Sequence, residues 1–219
     1  MSSIKVATDE LHIAFELLNK TFFNDELPNL AITIQTSGKR KSMGWCTTKE
    51  VWGDRDGKIK LYEINIAAEF LDLDFFETMD TLLHEMVHLY NITHDIQDCS
   101  RGGNYHNKKF KAEAEKRGFY FEKDKPDKKY GWYNPKLTEE TKQKISSLDI
   151  DKSAFSIARR GMQLHLSNDD TNQEEDGQEK ERKKSYKWVC PGCDLIARST
   201  KPDVSLKCMK CNEELEERD

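Results

Sequence analysis

His84, Glu85 and His88 stand in the order H-E-x-x-H. On an α-helix, residues four apart share a face, so His84 and His88 present two imidazoles to one metal ion. Zinc suits such donors and lowers the pKa of a bound water to near neutrality. Glu85 is adjacent in sequence and can take that water's proton during attack on a carbonyl. The motif therefore predicts a hydrolytic zinc site with Glu85 as its catalytic base. A pattern with three fixed positions also arises by chance. Against chance stand the apolar neighbours Leu82, Leu83, Met86 and Val87, because unpaired His and Glu are costly on a buried helix.

Two histidines compete to be the third ligand. His94 completes H-E-x-x-H-x-x-N-x-x-H, close to the metzincin spacing, with Asn91 where glycine usually sits. Asn tolerates the left-handed conformation that such a turn needs. No Met-turn supports that reading, since Met162 reads as a helix-end residue. His106 lies in a segment, Asn104 to Arg117, that the pattern assigns to the next helix. A ligand from a separate helix is equally sound physically.

A second constellation lies near the C-terminus. Cys190 and Cys193 form one C-x-x-C pair, Cys208 and Cys211 another, with fourteen residues between. Two such knuckles close a four-thiolate tetrahedral site, which has no open position and is structural. It also supplies folding energy that so short a segment lacks. Redox dithiols are the weaker reading, because neither pair sits in a βαβ context. Cys46 and Cys99 are isolated and read as small buried or loop thiols.

The elements that must position these residues are legible from periodicity. Leu11, Phe15, Leu18 and Phe22 predict a first helix, capped by Thr8 and ended before Pro28. Leu30 to Thr36, Met43 to Trp52 and Lys58 to Ala67 read as strands of a small antiparallel sheet. Asp74 to about Tyr90 is apolar around most of its circumference and reads as a buried central helix. Gly118 is a helix stop, and Thr138 caps a helix to Ile145. The fold class expected is α+β: a small antiparallel sheet on the H-E-x-x-H helix, plus a C-terminal zinc ribbon.

Composition bounds the function. In 219 residues, hydrophobic residues are 36% and charged residues 34%, enough apolar material for a core of about 150 residues but not for the whole chain. Residues 166–181 carry one basic and seven acidic groups and no apolar residue after Leu166, the pattern of a disordered linker. The predicted domains are thus 1–150, a helical and acidic linker over 151–184, and a ribbon over 185–219. No apolar run reaches membrane-spanning length, and Met1 to Thr8 contains no secretory h-region, so the expected compartment is the cytoplasm. The net charge of −5 excludes a histone-like polycation. Nucleic-acid contact must come from local patches: Lys39 to Lys41, the lysines of 108–129, and eight basic residues interleaved with Tyr186 and Trp188 in 182–210.

At this point the residues resemble a family. Met43-Gly44-Trp45-Cys46, the helix segment Thr81 to His88, Gly102 to Phe110 and Tyr130-Gly131-Trp132 are together similar to the SprT-like zinc metalloproteases, relatives of the DNA-dependent protease Spartan. The resemblance runs from the first helix to about Trp132, and again from Tyr186 to the end. It implies His106 over His94 as third ligand to a catalytic zinc shared with His84 and His88. It also implies a structural zinc on Cys190, Cys193, Cys208 and Cys211, and protein substrates bound or crosslinked to DNA. A different class of protein remains open, a DNA-binding or scaffold protein whose zinc sites are structural.

Overall fold

A computed structural model describes residues 3–37, 42–160 and 186–218. The acidic segment 166–181, the basic triplet 39–41, Met162 and residues 182–184 lie outside the described residues. Two compact units, Met1–His165 and Leu166–Asp219, make up the chain. No helix among the described residues is long and apolar enough to cross a membrane.

In the first unit, helix α1 (Ile4–Phe23) starts earlier than expected. Ser3, not Thr8, is its cap, and the Ser3 hydroxyl accepts from the Val6 N–H at 3.2 Å. The extra turn buries Ala7, while Thr8 donates its hydroxyl back to the Ile4 carbonyl. The α1 stripe of Leu11, Ala14, Phe15 and Leu18 then packs into the main core.

Strands β1 (Leu30–Gln35), β2 (Gly44–Cys46), β3 (Trp52–Gly53) and β4 (Lys60–Ala67) form one sheet, ordered β1-β4-β2 with β3 also on β4. The expected α+β class holds, but the sheet is mixed, not wholly antiparallel. β2 and β3 run antiparallel to β4, whereas β1 pairs with β4 in parallel, Leu30 facing Tyr62 and Gln35 facing Ala67. The reason is topological. β2, β3 and β4 form a hairpin, and β1 joins the free side of β4 instead of β2, its neighbour in sequence. Leu30, Ile32, Ile64 and Ile66 face the core shared with α1 and the central helix.

That helix, α2 (Phe75–Thr93), begins at Asp74, whose carboxylate accepts from the Phe76 N–H at 2.9 Å. Met79, Leu82, Leu83, Met86, Val87 and Leu89 are fully buried. At roughly 1.5–3 kcal/mol for each large apolar side chain, this burial fixes the helix against the sheet. A hairpin of β5 (Cys99–Ser100) and β6 (Tyr105–His106) follows, then helix α3 (Lys108–Lys116). Arg117 ties α3 to the core: its Nε donates to Glu113 at 2.8 Å, and its guanidinium lies over Phe23 and Tyr90. Gly118, at φ +89°, ends α3 as expected, in a conformation that favours glycine. Strands β7 (Phe119–Tyr120) and β8 (Lys136–Leu137) pair antiparallel, and Thr138 caps α4 (Glu139–Ser146).

The packed part of this unit runs past residue 150, where the linker was expected to begin. A short 3-10 helix, Lys152–Phe155, buries Ala154 and Phe155, and the Arg159 N–H donates to the Ala68 carbonyl at 2.8 Å. Phe155 sits against Phe75 with ring centroids 6.3 Å apart. Phe155→Ala is therefore expected to cost about 3–5 kcal/mol in urea unfolding. A loss below about 1 kcal/mol would show that this segment is no part of the core.

In the second unit, β9 (Tyr186–Val189) is the middle strand between β10 (Ile196–Ser199) and β11 (Glu216–Glu217), all antiparallel. Its small core holds Cys190, Cys208 and Leu215, with Trp188, Ala197 and Leu206 packed on it.

Candidate metal centre

Helix α2 delivers His84 and His88 on one face, and β6 brings His106 to them. The Nε2 of His88 lies 3.2 Å from that of His84 and 3.1 Å from that of His106. Tetrahedral zinc with bonds of about 2.0–2.1 Å sets its nitrogens about 3.3–3.4 Å apart. The three side chains thus fit one ion, and their ligand atoms group together. Phe110, fully buried on α3, lies against all three rings, with centroids 4.5–4.8 Å away.

His106 is not on a helix, contrary to expectation. The Asn107 side chain accepts from the Lys109 and Phe110 N–H groups, so α3 begins only after it. Tyr105 and His106 pair instead with Ser100 and Cys99. The other side of β6 is held by the 130–132 segment: His106 N–H donates to the Tyr130 carbonyl at 3.0 Å, and Trp132 N–H to the His106 carbonyl at 2.9 Å. Gly131 lies between at φ +71°, where a Cβ would fall on the His106 carbonyl oxygen. Backbone and Phe110 therefore hold the His106 ring, whose Nδ1 is buried without a hydrogen-bond partner.

His94, the competing histidine, is the C-cap of α2. Its ring stacks on Tyr90 at 4.0 Å and its Nδ1 is 2.8 Å from the Tyr90 carbonyl. It does not join the other three.

Sequence reasoning missed Asp98. Its Oδ2 accepts from His88 Nδ1 at 2.7 Å and from Asn91 Nδ2 at 3.1 Å, and the residue is buried. A carboxylate on Nδ1 fixes the tautomer and leaves Nε2 free for a metal. Burial pushes the Asp98 carboxyl up, but the hydrogen bond and charge of His88 outweigh it and hold the group below the usual range. The only signal in the sequence was a carboxylate between the second and third histidines, and Asp95 met that description equally.

Electrostatics divide the imidazoles. Burial and the neighbouring His88 push His106 down to about 4, and burial pushes His84 well below its ordinary value. Both therefore offer lone pairs at neutral pH. Burial also opposes charge on His88, but Asp98 outweighs it and raises the group to about 10. A metal at Nε2 displaces that proton while Asp98 keeps the one on Nδ1.

Glu85 is buried beside this group. Burial pushes its carboxyl up to about 7, against the pull of His88 and of the Cys46 N–H bonded to it. β2 comes close enough for that bond because residue 44 is glycine. A Cβ there would sit 2.8 Å from the Thr81 methyl and 2.9 Å from the Asn65 carbonyl oxygen. The two isolated cysteines also border the centre, which their sequence context did not indicate. Cys46 lies on β2 next to Glu85, its thiol pushed up by burial and by the Glu85 and Asp98 charges. Cys99 lies opposite His106, its Sγ 4.0 Å from His88 Nδ1.

In the second unit, Cys190, Cys193, Cys208 and Cys211 cluster as their spacing predicts. Each pair is folded the same way. The Cys190 N–H donates to the Leu195 carbonyl and Asp194 N–H to the Cys190 carbonyl; Cys208, Glu213 and Asn212 repeat the pattern. Asp194 and Asn212 both take positive φ, the backward turn that closes a knuckle. The Cys193 and Cys208 sulfurs are 3.7 Å apart, close to the spacing that Zn–S bonds of about 2.3 Å impose on a tetrahedron. Trp188 packs against this cluster, with its Nε1 buried and unpartnered.

A family model described as SprT-like family matches residues 11–129, more than half of the chain. No curated protein and no solved structure matches it.

Asp98→Asn is expected to weaken zinc binding at the histidine group about 10–100-fold, measured by competition with a chelating dye. An unchanged affinity would remove Asp98 from the centre.

Proposed function

The chain belongs to the SprT-like family, and from that membership we propose that it is a zinc-dependent metallopeptidase acting on proteins bound or crosslinked to DNA. The observation that supports this reading most strongly is the convergence of three Nε2 atoms beside a buried carboxylate. In this proposal His84, His88 and His106 hold the catalytic zinc. A zinc ion there supplies a water of near-neutral pKa and a Lewis acid for the peptide carbonyl.

The remaining steps belong to the chain. Glu85 accepts a proton from the attacking water and delivers it to the leaving amine. A carboxyl lifted to about 7 is matched to both roles, since it exchanges a proton readily near neutral pH. The Cys46 N–H orients that carboxylate, and Asp98 keeps His88 in the tautomer that leaves Nε2 free. The four cysteines hold a second, structural zinc, making 185–219 a zinc ribbon.

Cleavage of a DNA-binding protein, with and without single-stranded DNA, tests the reading. Glu85→Gln is expected to lose about 10²–10⁴-fold in turnover while retaining its zinc. If neither wild type nor the variant cleaves, with zinc bound in both, the chain is instead a binding module with structural zinc sites.

A further inference from the structure

The four-stranded sheet of the first unit has a face that the metal centre does not use. Successive side chains of a strand point to opposite faces, and Ile64 and Ile66 of β4 point into the core. Gly44 of β2 lies level with Ile66, and a Cβ there would meet Thr81 and Glu85, so α2 stands on that same face. Leu61, Glu63 and Asn65 therefore point the other way. By register, Thr33 of β1 and Trp45 of β2 lie beside Asn65, and Trp52 of β3 lies beside Leu61. Leu61, Trp45 and Trp52 stand outside the main core, and Trp52 is 49% exposed.

Glu63 sits at the middle of this face. The Thr33 hydroxyl donates to its Oε1 at 2.9 Å and the Gln35 amide at 3.4 Å. The Trp52 indole N–H donates to its Oε2 at 2.6 Å. All of these partners are neutral, so they orient the carboxylate without cancelling its charge. Three donors leave open about one of the roughly four lone-pair sites of a carboxylate. The bond to Oε2 also fixes a half-exposed indole ring beside that oxygen.

We propose that this face docks an arginine-bearing segment of a protein, with a guanidinium donating to the Glu63 carboxylate and stacking on the Trp52 ring. Charge decides the occupant. An acidic segment or a phosphate backbone is repelled by Glu63, and a neutral segment leaves its charge unanswered. A guanidinium meets both features at once, offering forked donors to the oxygen and a flat cation to the indole. Proteins that bind DNA neutralise its phosphates with Lys and Arg, so such segments belong to the substrate class proposed above. The sheet would hold them on the side opposite α2, as a docking site separate from the place of cleavage. That use rests on the peptidase reading, whereas the test of docking reads binding alone, so failure of one leaves the other standing.

The test is fluorescence anisotropy of a labelled peptide of alternating arginine and glycine, at about 0.15 M salt to screen distant charges. The full chain is used, carrying Glu85→Gln so that the peptide is not cut. Adding Glu63→Gln, which can still bond Trp52 and Thr33, is expected to weaken binding about tenfold. Adding Trp52→Ala is expected to weaken it about two- to fivefold. A peptide of alternating lysine and glycine should bind more weakly than the arginine peptide. If Trp52→Ala melts early, Glu63→Gln decides the question. Unchanged affinity in Glu63→Gln overturns the proposal, and it is the result expected if the acidic segment 166–181 holds the peptide instead. Equal binding of a peptide of alternating serine and glycine overturns it as well. The basic triplet Lys39-Arg40-Lys41 joins β1 to β2 in sequence and is itself a candidate occupant. Unchanged affinity in Lys39→Ala/Arg40→Ala/Lys41→Ala supports docking of a partner, whereas binding about tenfold tighter would assign the face to the triplet and overturn the proposal.

Discussion

Three imidazoles brought to one point, two from a helix otherwise packed in apolar residues and one from β6, with the His88 Nε2 3.1–3.2 Å from the other two, are the constraint around which the first unit is built. Buried polar groups are costly unless partnered, and lone pairs pointed at one another repel. The surroundings determine how that cost is met. Asp98 supplies the partner on the far side of His88, and Phe110 gives the three rings a common wall. Gly44 and Gly131 let backbone approach where any side chain would intrude. What remains unsatisfied is a point between three nitrogens, which the proposed zinc would fill.

The four cysteines solve the same problem in the opposite way. Their two knuckles are copies of one hydrogen-bond pattern, and in the proposed ribbon all four positions around the ion are protein sulfur. The histidine group supplies only three donors, so a zinc held there would keep a fourth position for water. This difference in donor number separates the structural role proposed for one site from the hydrolytic role proposed for the other.

Local patterns were legible in the sequence. The central helix, its H-E-x-x-H face and both C-x-x-C knuckles depend on residues within a few positions, and a 3.6-residue period or a fixed spacing reveals them. The family was legible for the same reason, because its motifs are short. Pairings between distant segments were not. Nothing in the strand patterns distinguishes β1 beside β4 from β1 beside β2, since alternation sets which face is buried and not which neighbour is taken. His106 reads as helical because its neighbours favour a helix, yet the Asn107 cap and the pairing with Cys99 place it on a strand. Asp98, Cys46 and Cys99 gain their positions only when β2 and the β5–β6 hairpin fold against α2. Similarly, the lysines of 123–129 read as a charge run, and only the fold sets them over tyrosine rings.

The most direct test is anomalous diffraction at the zinc edge from crystals of the full chain. The account predicts two peaks per chain, one about 2.0–2.1 Å from each Nε2 of His84, His88 and His106, and one about 2.3 Å from each of the four cysteine sulfurs. A peak at the cysteines with none among the histidines, in zinc-replete crystals, would contradict it.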